Sequence, residues 1–260
     1  MQTRKIINLK ELTRDQELDL SSQSISASQV KEIVEYVKKH KIKSLNLENN
    51  NIGDEGCELL KNCNSLTNLN VTANNIGPEG AAQLSLMASL EILDISHNSI
   101  EDEGAVALSK SKSLNQIDVT FCEIGEIGII GLMANKFIEK LFVEGKDIGE
   151  LSLKAIFEND GLLSLSLRGK ALDPDSIQLL NKNESLTDIN LSWNLNKLNE
   201  KEIKGSIARN KDQAKAFLAK QGDLINSFFV NPHSSIVKEY VGQRVYKNAE
   251  DMESSIANKL

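Results

Sequence analysis

The feature that most limits what this chain can fold into is a fixed period. Aligning the leading aliphatic residue of each unit gives Ile42, Leu66, Leu90, Leu114, Ile138, Leu162 and Leu186, and every step is 24 residues. The same order recurs inside the units: Ile42, Leu45, Leu47, Asn50 and Ile52; then Leu66, Leu69, Val71, Asn74 and Ile76; then Leu90, Leu93, Ile95, Asn98 and Ile100. The form is LxxLxLxxNxI. A sustained period of roughly 20 to 50 residues marks a stacked array, in which one unit cannot bury its apolar face alone and its neighbours must cover it.

Each part of the unit has a physical reading. The LxL alternation predicts a short strand with one face inward. The Asn can bond backbone groups where the chain leaves that strand. An IGxxGA segment comes next and continues at helical spacing, as in Gly53, Gly56, Cys57 and Leu60, or Gly77, Gly80, Ala81 and Leu84. The first glycine can tolerate a turn conformation, and the second removes bulk where the helix nears its neighbours. Later units keep the aliphatics but carry Cys122, Lys146 and Lys170 at the Asn position, and a degenerate first unit (Leu18, Leu20, Ile25) carries Gln23 there. The turns at Lys146, Lys170 and Gln23 are expected to be less regular or locally specialised. Leu186, Ile189, Leu191 and Asn194 make the last unit.

On these residues the chain resembles a leucine-rich repeat protein over roughly Leu18 to Leu198, and the NxIGxxGAxxL half of the unit resembles the ribonuclease-inhibitor type. The resemblance implies an α/β solenoid, with parallel strands on a concave face, helices on a convex face, and protein binding through the concave side.

A solenoid must also cover the open ends of its core. Val30, Ile33, Val34 and Val37 stand at helical spacing in a segment from Ser28 to His40, which reads as the helix of the first unit and part of an N-terminal cap. Residues 1–198 thus read as the solenoid with its cap, and residues 199–260, where the period stops, as a helical C-terminal cap or extension. Ile203 and Ile207 are expected to cover the last repeat. Asn231-Pro232-His233-Ser234 reads as a break before a final helical segment, because proline restricts the residue before it and serine can cap the next helix. That tail either packs on the solenoid's end or engages something else.

Several function classes are disfavoured. The formal net charge is -7 with a pI near 5.2, which gives no basic face for a nucleic-acid backbone. GPEG at Gly77–Gly80 lacks the Lys-Ser/Thr of a phosphate loop and the GxGxxG of a dinucleotide site, and repetition explains its glycines. His40, His97 and His233 are far apart and belong to no nucleophile or metal motif. No enzyme activity, cofactor or metal is expected. The first twenty residues contain no continuous apolar stretch of the kind a Sec leader needs, and no run of about 18 apolar residues predicts a membrane span. Cys57, Cys63 and Cys122 are odd in number and without CxxC spacing, which fits buried thiols in a reducing, cytoplasmic setting.

The informative side chains are the non-aliphatic ones on and just beyond each strand, which point away from the core. In the first units these are small and polar. From the third strand of the LxxLxLxxNxI series onward they include His97, Phe121, Phe142, Glu144, Arg168 and the only tryptophan, Trp193. Aromatic and Arg anchors amid polar groups are what interface hot spots favour, and aromatics make up only 4% of this chain. These six residues therefore form the candidate protein-binding site; Phe121 and Phe142 either belong to it or merely pack against each other. The expected function is a non-catalytic scaffold that binds a partner protein.

The Lys- and Asn-rich, Pro-poor composition also resembles leucine-rich repeat effectors that intracellular bacterial pathogens deliver into host cells, and AEDMESSIANKL at the C-terminus resembles their translocation signals. That resemblance implies a host-protein partner and a non-Sec route. The alternative is an adaptor or enzyme-associated subunit whose C-terminal segment carries a second activity.

Overall fold

A computed structural model describes residues 8–144, 148–169, 172–191 and 197–230, with side chains in the last stretch from 200 to 216 and at 219. Lys146, Lys170, Trp193, Asn194 and the segments read beyond 230 lie outside the described residues.

The 24-residue period returns the chain to the same height at each turn, and every return adds a strand. A short β1 (Thr13–Arg14) pairs antiparallel with β2 (Glu17–Asp19). Then β3 (Ser44–Asn46), β4 (Asn68–Asn70), β5 (Ile92–Asp94), β6 (Gln116–Asp118), β7 (Lys140–Glu144), β8 (Ser164–Arg168) and β9 (Asp188–Asn190) join in chain order, each parallel to the one before. The register places Leu45, Leu69, Leu93, Ile117, Leu141, Leu165 and Ile189 side by side, so one aliphatic column runs along the sheet.

The helices are α1 (Ala27–His40), α2 (Gly53–Leu60), α3 (Pro78–Leu84), α4 (Glu101–Leu108), α5 (Glu126–Ala134), α6 (Glu150–Phe157), α7 (Pro174–Lys182) and α8 (Lys197–Val230). The inward strand residues and the buried faces of α1 to α7 form one continuous core. Stacking is obligatory. A buried Leu or Ile stabilises by about 2 kcal/mol, and the handful in one unit cannot offset about 1–2 kcal/mol of ordering entropy per residue.

The fourteen-residue α1 buries Val30, Ile33, Val34 and Val37; Gln29 accepts a hydrogen bond from the Ser26 N–H at 3.0 Å, and Lys41 ends the helix in the left-handed region at φ +52°. The chain divides into two compact units, Met1–Ala208 and Arg209–Leu260. Ile203 and Ile207, at the start of α8, are buried in the core of the first unit.

The glycines at the helix starts differ in conformation. Only Gly53 opens its helix with a positive φ, at +54°, whereas Gly77 and Gly125 are extended at −101° and −93°. Their role is as donors. The N–H groups of Gly77 and Gly80 both reach Asp54 Oδ1, at 2.7 and 2.9 Å, and those of Gly125 and Gly128 reach Asp102 Oδ1, both at 2.8 Å. A carboxylate on one helix thus caps the N-terminus of the next, where unpaired N–H groups and the helix dipole favour negative charge. The second glycine does clear space: a Cβ at Gly80 would lie 2.4 Å from Asp54 Oδ1, and one at Gly128 would lie 2.5 Å from Ile124 Cγ2.

Candidate functional site

The open face of the sheet carries two kinds of polar side chain, and one kind belongs to the fold. The mid-strand Asn or Asp accepts a hydrogen bond from the N–H two residues on: Asp19 from Ser21 (3.0 Å), Asn46 from Glu48 (2.9 Å), Asn70 from Thr72 (2.9 Å), Asp94 from Ser96 (3.1 Å) and Asp118 from Thr120 (2.9 Å). The neighbouring N–H groups donate to the next strand, for example Leu47 to Asn70 O and Asn49 to Thr72 O, so the side chain serves the group that the sheet leaves unpaired. Asn70 and Thr72 are engaged with each other in this way, and Thr72 Oγ1 also donates to Asp94 Oδ1 at 2.8 Å.

This arrangement also governs strand length. Strands with Asn or Asp directly after the first aliphatic, β2 to β6 and β9, end on that residue and are three residues long. Where Phe142 and Ser166 take that position, β7 and β8 run on for five residues, and Glu144 comes to lie opposite Arg168.

Just beyond the strands, the buried Asn ladder holds the turns. Asn98 Oδ1 accepts from the N–H of Asn74 and Ile76, and its Nδ2 donates to the carbonyls of Val71, Ile95 and Ser96. Cys122 replaces it with a single donor, Sγ, which lies 3.2 Å from Ile95 O. Burial, the largest influence, pushes that thiol up to about 12, so it stays protonated.

The residue before each ladder position stands in the left-handed region: Ser22, Asn49, Ala73, His97 and Phe121, with φ between +53° and +56°. Gly169 occupies the same column at φ +77°. Bulky side chains are disfavoured there by about 1–2 kcal/mol. His97 and Phe121 nevertheless hold it on adjacent repeats, with their rings stacked at 4.5 Å between centroids and 27° between planes. Both are exposed, Phe121 to 45%. The ring partner of Phe121 is therefore His97.

Beside this stack, Asp94, Asp118 and Phe142 occupy three consecutive rungs of the mid-strand column. Burial lifts the Asp118 carboxyl above its ordinary value, hydrogen bonds from the Thr120 side chain and backbone pull it down, and then the charge of Asp94 raises it while that of Arg168 lowers it. Phe142 and Glu144 are half-buried and Arg168 is exposed. The five described site residues thus fall on β7, β8 and the turns after β5 and β6. No cluster of metal-ligating side chains occurs among the described residues, and none of the described helices is long and apolar enough to cross a membrane.

A family model described as Leucine Rich repeat matches residues 38–61, 62–85 and 87–109, the repeats whose ladder residues are Asn50, Asn74 and Asn98. No curated protein matches the chain. Among solved structures, the tropomodulin C-terminal domain of Caenorhabditis elegans is similar at 17% identity, over 65% of this chain and 98% of that one, with a TM-score of 0.39. An internalin (inlF) of Listeria monocytogenes is similar at 14% identity, over 73% of this chain and 64% of that one, with a TM-score of 0.43. The actin-binding site 2 of leiomodin-1 is similar at 14% identity, over 56% and 79%, with a TM-score of 0.35.

Proposed function

We propose that this chain, three of whose repeats match a leucine-rich repeat model, is a non-catalytic scaffold that binds a partner protein through the open face of its sheet, centred on His97, Phe121, Phe142, Glu144 and Arg168. The observation that carries this reading is the exposed His97–Phe121 stack, held in a strained backbone conformation on two successive repeats. The core does not need either ring. Backbone strain that the surroundings maintain without a packing return is a feature of binding surfaces, and aromatic anchors supply contact area at little entropic cost. Repeat proteins generally present such surfaces to other proteins.

Affinity capture, then titration of the captured protein, tests the reading. Phe121→Ala combined with Phe142→Ala should weaken binding at least thirtyfold, the loss of about 2 kcal/mol expected when hot-spot aromatics are truncated. Ile127→Ala with Leu151→Ala, which removes exposed apolar side chains from α5 and α6, should leave it intact. Equal loss in both variants, or in neither, would count against the site.

The partner is read as a host protein, and the chain as an effector delivered by a non-Sec route into host cytoplasm. Support comes from the Lys- and Asn-rich, Pro-poor composition and the C-terminal AEDMESSIANKL. Fusing the last thirty or so residues to a reporter should confer delivery, and a reporter that stays in the bacterium would remove this reading.

A further inference from the structure

The open sheet face is more specific about its occupant than the aromatic side chains alone suggest. Among the described residues the open face carries Asp19, Glu48, Asp94, Asp118 and Glu144 against Arg168 in the mid-strand column and the position two residues on, and Glu17 and Asp188 against Lys140 in the position two residues before it. The fold does not call for this charge. The mid-strand position needs only an oxygen to accept the N–H two residues on, and Asn46 and Asn70 provide it as neutral amides at 2.9 Å. Asp94 and Asp118 do the same job as carboxylates, directly opposite one another in the parallel register, and Asp94 Oδ1 accepts in addition from the Thr72 and Ser96 hydroxyls at 2.8 and 2.7 Å, bonds that an amide oxygen could also take. Like charges so placed destabilise a sheet, and the burial that lifts the Asp118 carboxyl shows that the surroundings resist its charge.

The surroundings of this carboxylate pair are apolar on two sides. Phe142 continues the same column on the next strand, and the His97–Phe121 stack stands beyond the strand ends of the same two repeats. A site with paired negative charge bordered by aromatic faces suits a cationic head on an apolar stem, because methylenes and cations both pack favourably on rings.

Resting on the scaffold reading, we infer that the occupant of this face is a protein segment presenting a lysine or arginine, its charged head over Asp94 and Asp118 and its stem against Phe142 and the His97–Phe121 stack. Arg168 offsets part of the acidic charge and leaves the pair net negative.

The test is a random dodecamer library displayed on phage and panned against the full chain. Enriched sequences are then made as synthetic peptides and titrated by fluorescence anisotropy. The sequences should share a Lys or Arg at fixed spacing from an apolar residue. Asp94→Asn with Asp118→Asn should weaken their binding about tenfold, and replacing the shared cation by Ala should add little further loss in that variant. Asn already stands at this position in neighbouring repeats with the same hydrogen bond, so the variant keeps its turns, and circular dichroism verifies its fold. Enrichment of peptides without a cation, or unchanged binding by the Asn variant, overturns the inference. If those peptides still lose binding to the Phe121→Ala, Phe142→Ala protein, the scaffold reading stands without it. Binding that responds to neither pair of substitutions defeats both.

Discussion

The repeats from β3 to β6 and those from β7 to β8 share one period but are pinned at different corners. In the earlier group, Asn50, Asn74 and Asn98 bond the backbone where the chain leaves the strand. In the later group, the buried ladder lies where the chain returns from the helix. Asn159 donates to Met133 O and accepts from Gly161 and Leu162, while Asn183 donates to Phe157 O and accepts from Ser185 and Leu186. Asn135 begins that second series, donating to Ser109 O and Ser111 O. Each corner needs its backbone groups satisfied, yet a repeat can be held firmly from one corner. In the later group Phe142 and Ser166 replace the Asn or Asp that follows the first strand aliphatic, the strands run on for five residues, and the open face receives Phe142, Glu144 and Arg168 in place of small polar groups.

The largest effect should come from cutting either ladder. Asn98→Ala strands the N–H groups of Asn74 and Ile76 and the carbonyl of Val71, and Asn159→Ala at least three groups, so each should cost about 3–4 kcal/mol in urea unfolding. Cys122→Ala, which removes one weak donor, should cost about 1 kcal/mol. Near-neutral behaviour of Asn159→Ala would break the comparison, because the later repeats would then be held by something else.

A subtler change converts one region toward the other. Phe142→Asn restores the mid-strand acceptor, so β7 should shorten to the three residues of its predecessors. Amide exchange should quicken at Val143, Glu144, Leu167 and Arg168, the two register pairs that would be lost. Unchanged protection there would show that the Asn or Asp side chain does not set strand length.

The smallest effect concerns Asp118. Its folded-state pKa lies above the ordinary 3.8, so ionisation costs stability as pH rises through and above that value. Below it the proton is bound in both folded and unfolded states and the cost vanishes. Asp118→Asn should therefore raise the melting temperature slightly at neutral pH, with the gain disappearing below about pH 4. A gain that persists unchanged in acid would mean that charge is not the cause.

Much of this architecture was legible in the sequence. LxxLxLxxNxI names the residues of the aliphatic column, and Asn50, Asn74 and Asn98 occupy the ladder positions that the motif implies. The second ladder was equally periodic, with Asn135, Asn159 and Asn183 spaced by 24 residues, but it lies between motifs and an alignment of aliphatics passes over it. The helix caps were hidden for a different reason: Asp54 serves Gly77 and Gly80 from the previous repeat, a pairing that local rules do not reveal. GPEG does hold an anion, and that anion is the chain's own carboxylate. On the open face, alternation shows which side chains point outward but not which are already bonded, as Asn70 and Thr72 are. The stacking of His97 on Phe121 emerges only once consecutive turns are known to share a left-handed residue.

The claim that this protein binds through the open face at β5 to β8 is tested most directly by one titration. The tightest partner or selected peptide is measured against the wild type, the Phe121→Ala, Phe142→Ala variant and the Ile127→Ala, Leu151→Ala variant, with folding checked by circular dichroism. Loss of at least about thirtyfold in the first variant and unchanged affinity in the second is the predicted result. Full affinity in the first variant, with loss in the second, would move the binding surface to the helices and contradict the account.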